Sequence, residues 1–176
     1  GPRLISVAAL TAFVAHRQVA YWRDSEALFS RALAVTKGNH LMTYNLGVLR
    51  MREGRTAEAI ALLREAVRIH PDYGDALNNL ACMLAAHPEL RGGPAGAAEA
   101  LAAARRAAAL RANQEPRTLD TLAVAQAAAG RMDEAAATAE RALALATAAG
   151  DGALSTQIAA RLALFRTHRA FTEGPR

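Results

Sequence analysis

Histidine and cysteine are the residue types in this sequence that could bind a metal ion or serve as a nucleophile and its base. A zinc site needs several such ligands at short spacing, and Cys82 has no second cysteine to accompany it. The histidines include no His-x-x-x-His pair and are spread over the chain: His16, His40, His70, His87 and His168. The sequence therefore predicts no metal site. Because Cys82 follows Ala81 in an alanine-rich helix, we expect it to be a buried structural thiol.

Paired carboxylates and glycine-rich segments are the other patterns that can indicate catalysis or phosphate binding. Asp72 with Asp75, and Asp133 with Glu134, stand where helices are predicted to begin, and negative charge there complements the helix dipole. The segment 92–96 (Gly-Gly-Pro-Ala-Gly) lacks the following Lys and Ser/Thr of a phosphate loop. We therefore expect no enzymatic activity, no catalytic residue and no cofactor.

The net charge of +5 raises the question of a nucleic-acid partner, because clustered cations gain affinity from phosphates. Lys37 is the only lysine, and the arginines are scattered through every predicted helix beside glutamates. This distribution favours a solvated surface over a nucleic-acid interface.

A hydrophobic content of 52% with 21% charged residues is in the range of globular proteins. A single cysteine excludes an internal disulfide, and it leaves the cellular compartment open.

A period of 34 residues organises the chain. Segments 25–36 and 59–70 align at this spacing, as do 45–47 (Asn-Leu-Gly) and 79–81 (Asn-Leu-Ala). Each unit reads as two helices, and a fixed period of this size is typical of helical repeat arrays. Alanine-rich helices with few β-branched residues predict no sheet.

One unit is longer than the others. Equivalent alanines at Ala66 and Ala107 are 41 residues apart, whereas Ala107 and Ala142 are 35 apart. Helix-breaking residues in the segment 87–96 predict a long exposed loop that absorbs the difference. The predicted organisation is an N-terminal helix and first pair at 3–39, pairs at 40–73, 74–114 and 115–149, and a capping helix at 150–171.

Local signals mark the helix ends. Gly54 and Gly130 stand where a first helix ends and the chain needs a left-handed residue. Asp24 and Asp151 can cap the helices that follow them. The capping helix carries one apolar stripe at spacings of four, four and three residues: Leu154, Ile158, Leu162 and Phe165.

The unit at 40–73 resembles the tetratricopeptide repeat (TPR) family, which has a small residue in the first helix, glycine at the turn, two small residues in the second helix and then proline. Those positions are filled by Gly47, Gly54, Ala59, Ala66 and Pro71. The resemblance extends over about residues 21–149. It implies a right-handed α-solenoid of about four helix pairs plus the capping helix, and a function in binding a protein or peptide partner.

The resemblance also implies that the first helix of each unit lines a concave groove. Asn45 and Asn79 occupy one position in successive first helices, and Thr121 is their equivalent further on. An amide both donates and accepts, so such a ladder could hold the backbone of an extended peptide, as asparagines in the TPR arm of O-GlcNAc transferases do. Asparagine also suits this helix position in many TPR proteins, so a structural role stays open. The groove residues that we predict are Asn45, Asn79, Thr121, Tyr44, Asn78, Val48, Arg52 and Arg117, with Leu41, Asp75, Cys82, Asp120 and Val124 as further candidates.

The N-terminal region admits more than one interpretation. Residues 4–15 are apolar but fall short of the roughly 20 needed to cross a bilayer, so we expect a buried first helix and no membrane span. Residues 18–29 resemble the junction at which transmembrane TPR mannosyltransferases pass into extracytoplasmic repeats. That resemblance implies a membrane glycosyltransferase-like parent whose repeats recruit protein substrates outside the cytoplasm. A soluble cytoplasmic protein, and a scaffold that forms homo-oligomers through its apolar first helix, are the alternatives.

Overall fold

The computed structural model describes Phe29, Arg31 and residues 35–167. Seven α-helices lie wholly within these residues, and no β-strand occurs among them. They are α1 (His40–Arg52), α2 (Thr56–Ile69), α3 (Gly74–Ala86), α4 (Gly93–Leu110), α5 (Pro116–Ala128), α6 (Met132–Ala148) and α7 (Gly152–Arg166). The predicted all-α repeat fold is thus confirmed for this part of the chain. The predicted first helix and most of the pair at 3–39 lie outside the described residues, as do the last residues of the predicted capping helix.

Consecutive helices pack against each other along the chain. Helix α1 packs on α2, α3 on α4, and α5 on α6, so these six helices form three consecutive pairs. Neighbouring pairs join where α2 contacts α3 and α4 contacts α5, and the first helices α3, α5 and α7 also contact one another in sequence. The result is a stack in which each pair meets its neighbours, as in other helical solenoids.

Alanine fills the closest helix contacts. The small positions that the repeat predicts in the second helices have no solvent exposure in α2 (Ala59, Ala66), α4 (Ala100, Ala107) and α6 (Ala135, Ala142). In α1 a β-carbon on Gly47 would stand 3.4 Å from side-chain atoms of Leu62 and Leu63, so α1 and α2 approach closely there. Small side chains allow this approach, and larger apolar residues such as Leu63, Leu84, Leu119 and Phe165 fill the remaining interior.

Ion pairs join neighbouring units at about the repeat spacing. Arg64 of α2 pairs with Glu99 of α4 at 2.6 Å, and Arg106 pairs with Asp72 at 2.7 Å. Residues in such pairs lie about one unit apart because equivalent faces of successive units meet. These side chains are largely exposed, so each pair contributes at most about 1 kcal/mol, and their regular placement matters more for the register between units.

The connection between α3 and α4 differs from the prediction. The expected loop at 87–96 ends at Gly92, and residues 93–96 form the first turn of α4. Pro94 suits that turn, because proline lacks the amide hydrogen that the start of a helix leaves unbonded. The Arg91 carbonyl oxygen lies so close to Gly96 that a β-carbon there would stand 1.7 Å from it. The glycine therefore lets the loop fold back onto the helix.

The predicted helix ends are confirmed where the structure describes them. Gly54 and Gly130 have φ angles of +73° and +77°, in the left-handed region that favours glycine. The Asp151 side chain accepts a hydrogen bond from the amide of Leu154 at 3.0 Å and caps α7. All four residues of the predicted α7 stripe are buried: Leu154, Ile158, Leu162 and Phe165.

Replacing Gly96 by alanine should destabilise the fold. The new β-carbon would overlap the Arg91 backbone, and overpacking against rigid atoms costs about 1–3 kcal/mol. Urea unfolding followed by circular dichroism measures the loss. The control is Gly152→Ala, whose β-carbon would meet no atom within 4 Å and whose φ is not positive. Equal unfolding free energies for the two variants would contradict the close approach.

Candidate functional site

Helix α1 is held in place at both ends. The Asn39 side chain accepts a hydrogen bond from the Met42 amide at 3.1 Å and caps the start of the helix. Near the other end the buried Arg50 guanidinium contacts Glu53 at 2.8 Å and Glu58 of α2 at 3.5 Å. These contacts fix the rotation of α1 relative to α2, and hence which side chains α1 presents to its surroundings.

One side of α1 borders a cavity of about 210 Å³. Four predicted groove residues line it, together with Leu49 and Phe29. We call the α1 residues of this surface the α1 face: Tyr44, Asn45, Val48, Leu49 and Arg52. The structure thus brings half of the predicted groove residues together at one cavity, with an amide and a guanidinium beside apolar walls.

The two predicted ladder asparagines differ in their surroundings. The Asn79 amide nitrogen donates a hydrogen bond to the Tyr44 hydroxyl at 3.2 Å and so joins α3 to α1. The half-buried Asn45 side chain makes no hydrogen bond to any described residue. Asn45 therefore keeps its full donor and acceptor capacity, whereas one Asn79 donor already serves the joint between units.

The other predicted groove residues are separated from the α1 face. Thr121 is buried, and its hydroxyl donates to the Arg117 carbonyl at 3.1 Å, so little of it remains for a ligand. Arg117 is exposed and lies 3.4 Å from the Asp151 carboxylate. The Asn78 side-chain oxygen is buried and has no hydrogen-bond partner in the described part of the chain. The sequence equivalents of Asn45 therefore serve the fold: Asn79 of α3 bonds to Tyr44, and Thr121 of α5 is buried.

Four aromatic rings gather where α1, the end of α2 and the start of α3 meet. The His40 and His70 rings lie 4.7 Å apart, and Tyr73 stands edge-on to Tyr44 at 5.0 Å. Burial, and then the negative charge of Asp75, raise the pKa of the Tyr44 hydroxyl, which therefore stays protonated at neutral pH. Sequence reasoning missed this cluster, although aromatic residues at three successive helix ends were a visible signal.

Asp120 forms an ion pair with Arg161 and so links α5 to α7. The side chains are 8% and 21% exposed, respectively. Burial raises the pKa of the Asp120 carboxyl, and the neighbouring guanidinium opposes that shift only in part. Asp120 is one of the further groove candidates from the sequence, but in the structure it lies in the contact between α5 and α7. Its partner was not predicted, because α7 stands outside the repeat pattern.

Cys82 is less buried than predicted. Its side chain is partly exposed, although its neighbours Ala81 and Met83 on α3 are buried. In the described part of the chain no three His, Cys, Asp or Glu side chains are grouped closely enough to hold a metal ion. Within the same residues, no helix combines the length and the apolar character needed to cross a bilayer.

Two segments of the chain match the tetratricopeptide repeat family: residues 42–77 and 118–153. Each match begins in a first helix and runs through the second helix into the helix that follows. The matches cover less than half of the chain and support its assignment to the TPR family. The longer pair α3–α4 lies largely between them. No curated protein shows significant similarity to the chain.

The resemblance to transmembrane TPR mannosyltransferases finds no support in these comparisons. It rests on residues 18–29, of which the structure describes only Phe29.

The pH dependence of the free energy of unfolding tests whether burial or the attraction to Arg161 has the larger effect on the pKa of Asp120. Because its pKa is raised on folding, the folded state keeps the proton to higher pH than the unfolded state does. Above about pH 4, the ordinary aspartate range, this group should therefore lower the free energy of unfolding as pH rises through the raised pKa. An Asp120→Asn variant lacks this titration, so its stability relative to the unmodified chain should rise with pH. Urea unfolding of both proteins from pH 3.5 to 7, about the range of the titration, measures the difference. A relative stability that falls with pH would show that the attraction to Arg161 outweighs burial.

Proposed function

We propose that this chain is a protein-interaction module that binds a peptide or helix of a partner protein on the α1 face, without chemistry of its own. TPR units generally mediate protein–protein interaction, and helical solenoids offer extended surfaces for it. The observation that carries the proposal is the cavity beside α1, which Tyr44, Asn45, Val48 and Arg52 line together. In this proposal the pairs at 40–73, 74–114 and 115–149 are the units, with 150–171 as the cap.

Each side chain of the α1 face offers a different contact. The Asn45 amide can accept from one peptide N–H and donate to a carbonyl, which recognises a backbone in any sequence. Val48 and Leu49 supply apolar contact area. Arg52 is exposed and forms no ion pair with a described residue, so it can bind a carboxylate or a terminal carbonyl of the partner.

A groove that continues beyond α1 would pass Asn78 and Asn79 of α3 and reach Arg117 of α5. Asn79 keeps its carbonyl oxygen and one amide hydrogen after bonding to Tyr44, so it can add a contact. We assign it a smaller share of the affinity than Asn45, because part of its amide is already used.

Local charge neutralisation favours a protein partner over nucleic acid. Many arginines pair with carboxylates across the units, including Arg64 with Glu99, Arg106 with Asp72 and Arg111 with Asp75. Paired guanidinium groups release fewer counterions when they approach phosphates, so the net positive charge is poorly suited to polyanion binding.

A photo-crosslinking side chain at position 48 should capture the partner, whereas the same group at exposed Ala61 on α2 should not. With the captured partner purified, the Asn45→Ala variant should bind about ten times more weakly, because it loses hydrogen bonds worth about 1 kcal/mol each. Isothermal titration calorimetry measures both affinities.

The matched control is Gln157→Ala, which removes an exposed amide from α7. Its affinity should equal that of the unmodified chain. Equal capture from positions 48 and 61, or an affinity unchanged by Asn45→Ala while helicity is also unchanged, would overturn the proposed site.

A further inference from the structure

A second cavity, of about 480 Å³, lies away from the α1 face. It borders the start of α4 and the end of α5, on the edge of the stack where first helices turn into second helices. Its walls are small and apolar: Pro94, Ala97, Ala98, Leu101, Ala128 and Ala129. Pro94 and Ala98 are exposed, so the cavity opens to the surface.

Among the described residues that line this cavity, Arg91 has the only charged side chain. The backbone of Arg91 is held in place, because its carbonyl oxygen packs on Gly96 and its amide donates to the His87 carbonyl at 3.2 Å. The guanidinium Nε is buried and has no hydrogen-bond partner in the described part of the chain. Within the same residues no carboxylate pairs with Arg91, and the nearby Glu89 carboxylate contacts His87.

A buried donor is costly to keep unbonded in a folded protein, so the Arg91 guanidinium needs an acceptor from outside the described residues, such as a water or a ligand group. Guanidinium groups bind carboxylates with two parallel hydrogen bonds, and a desolvated site strengthens them. Helix α4 has no acidic residue in its first turn, and Glu99 further along the helix is paired with Arg64.

We propose that this cavity binds a linear segment of a partner protein in which an Asp or Glu stands beside a Leu, Ile or Val. The carboxylate pairs with Arg91, and the aliphatic side chain lies against Leu101 and the alanine walls. A peptide suits the cavity better than a small metabolite does, because a compact ligand site offers several convergent polar groups and this one offers a single cation.

Nitrogen–proton correlation spectra of the isotope-labelled full chain test the proposal. The probes are the peptides acetyl-SGLELGS-amide and acetyl-SGLQLGS-amide, titrated to millimolar concentration. The first should shift the amide signal of Gly93, which lines the cavity, and those of its neighbours Gly92 and Gly96. All three signals lie in the separated glycine region. The second should bind at least about ten times more weakly, because it lacks the carboxylate.

Two pairs of variants locate the contact. Arg91→Gln should weaken binding of the glutamate peptide about tenfold, whereas Arg105→Gln, the same charge change elsewhere on α4, should leave it unchanged. Ala98→Glu should block binding by placing a carboxylate at the cavity, whereas Ala102→Glu at another exposed α4 position should not.

Equal binding of the two peptides overturns the proposal, as do equal effects of Arg91→Gln and Arg105→Gln. Absence of any shift at millimolar peptide also overturns it. Shifts confined to the α1 face would place the peptide in the other cavity and overturn this one. Failure here leaves binding at the α1 face untouched, because the two cavities share no residue.

Discussion

The close approach of neighbouring helices at alanine positions is the constraint on which the rest of the structure depends. In α2, α4 and α6 the fully buried small residues occupy equivalent positions of successive units, and no larger side chain fits there without separating the helices. A buried methyl group contributes only about 0.8 kcal/mol, so stability has to come from many contacts shared between units rather than from one large core. Each unit is therefore stable only when it packs against the neighbouring units of the stack.

The close packing of the helices also determines which polar side chains contact each other. Where helices of adjacent units meet, polar and charged groups bond across the joint: Tyr44 with Asn79, Arg64 with Glu99, and Asp120 with Arg161. Such contacts specify register more than they add stability. A groove residue that serves a joint cannot serve a ligand equally well. Of the two ladder asparagines, Asn79 bonds to Tyr44, whereas Asn45 makes no hydrogen bond to a described residue.

The repeat, the helix pairs and the helix ends could be predicted because they depend on residues close in sequence. Gly54 and Gly130 mark turns by their own backbone conformation, and Asp151 caps the helix that begins beside it. Contacts between units depend on how each helix is rotated, which the period alone does not define. For that reason the partner of Asp120 was missed, Thr121 was placed in a groove although it is buried, and Cys82 was predicted to be more buried than it is.

The segment 87–96 shows that prediction from sequence is limited even for residues that are close along the chain. Its glycines and proline predict a loop, yet Pro94 suits the first turn of a helix, and Gly96 is needed where the Arg91 carbonyl crosses it. Composition indicates that the helical pattern is interrupted, and only the packed structure shows that the interruption is shorter than expected. The start of α4 then borders a cavity that the end of α5, inside the second matched TPR segment, also lines.

Hydrogen–deuterium exchange of the full chain, with and without its captured partner, tests the central claim most directly. Binding on the α1 face should slow exchange in residues 40–54 and leave the outer helix α6 (Met132–Ala148) unchanged. Slower exchange in α2 or α6, with no change in residues 40–54, would contradict the account.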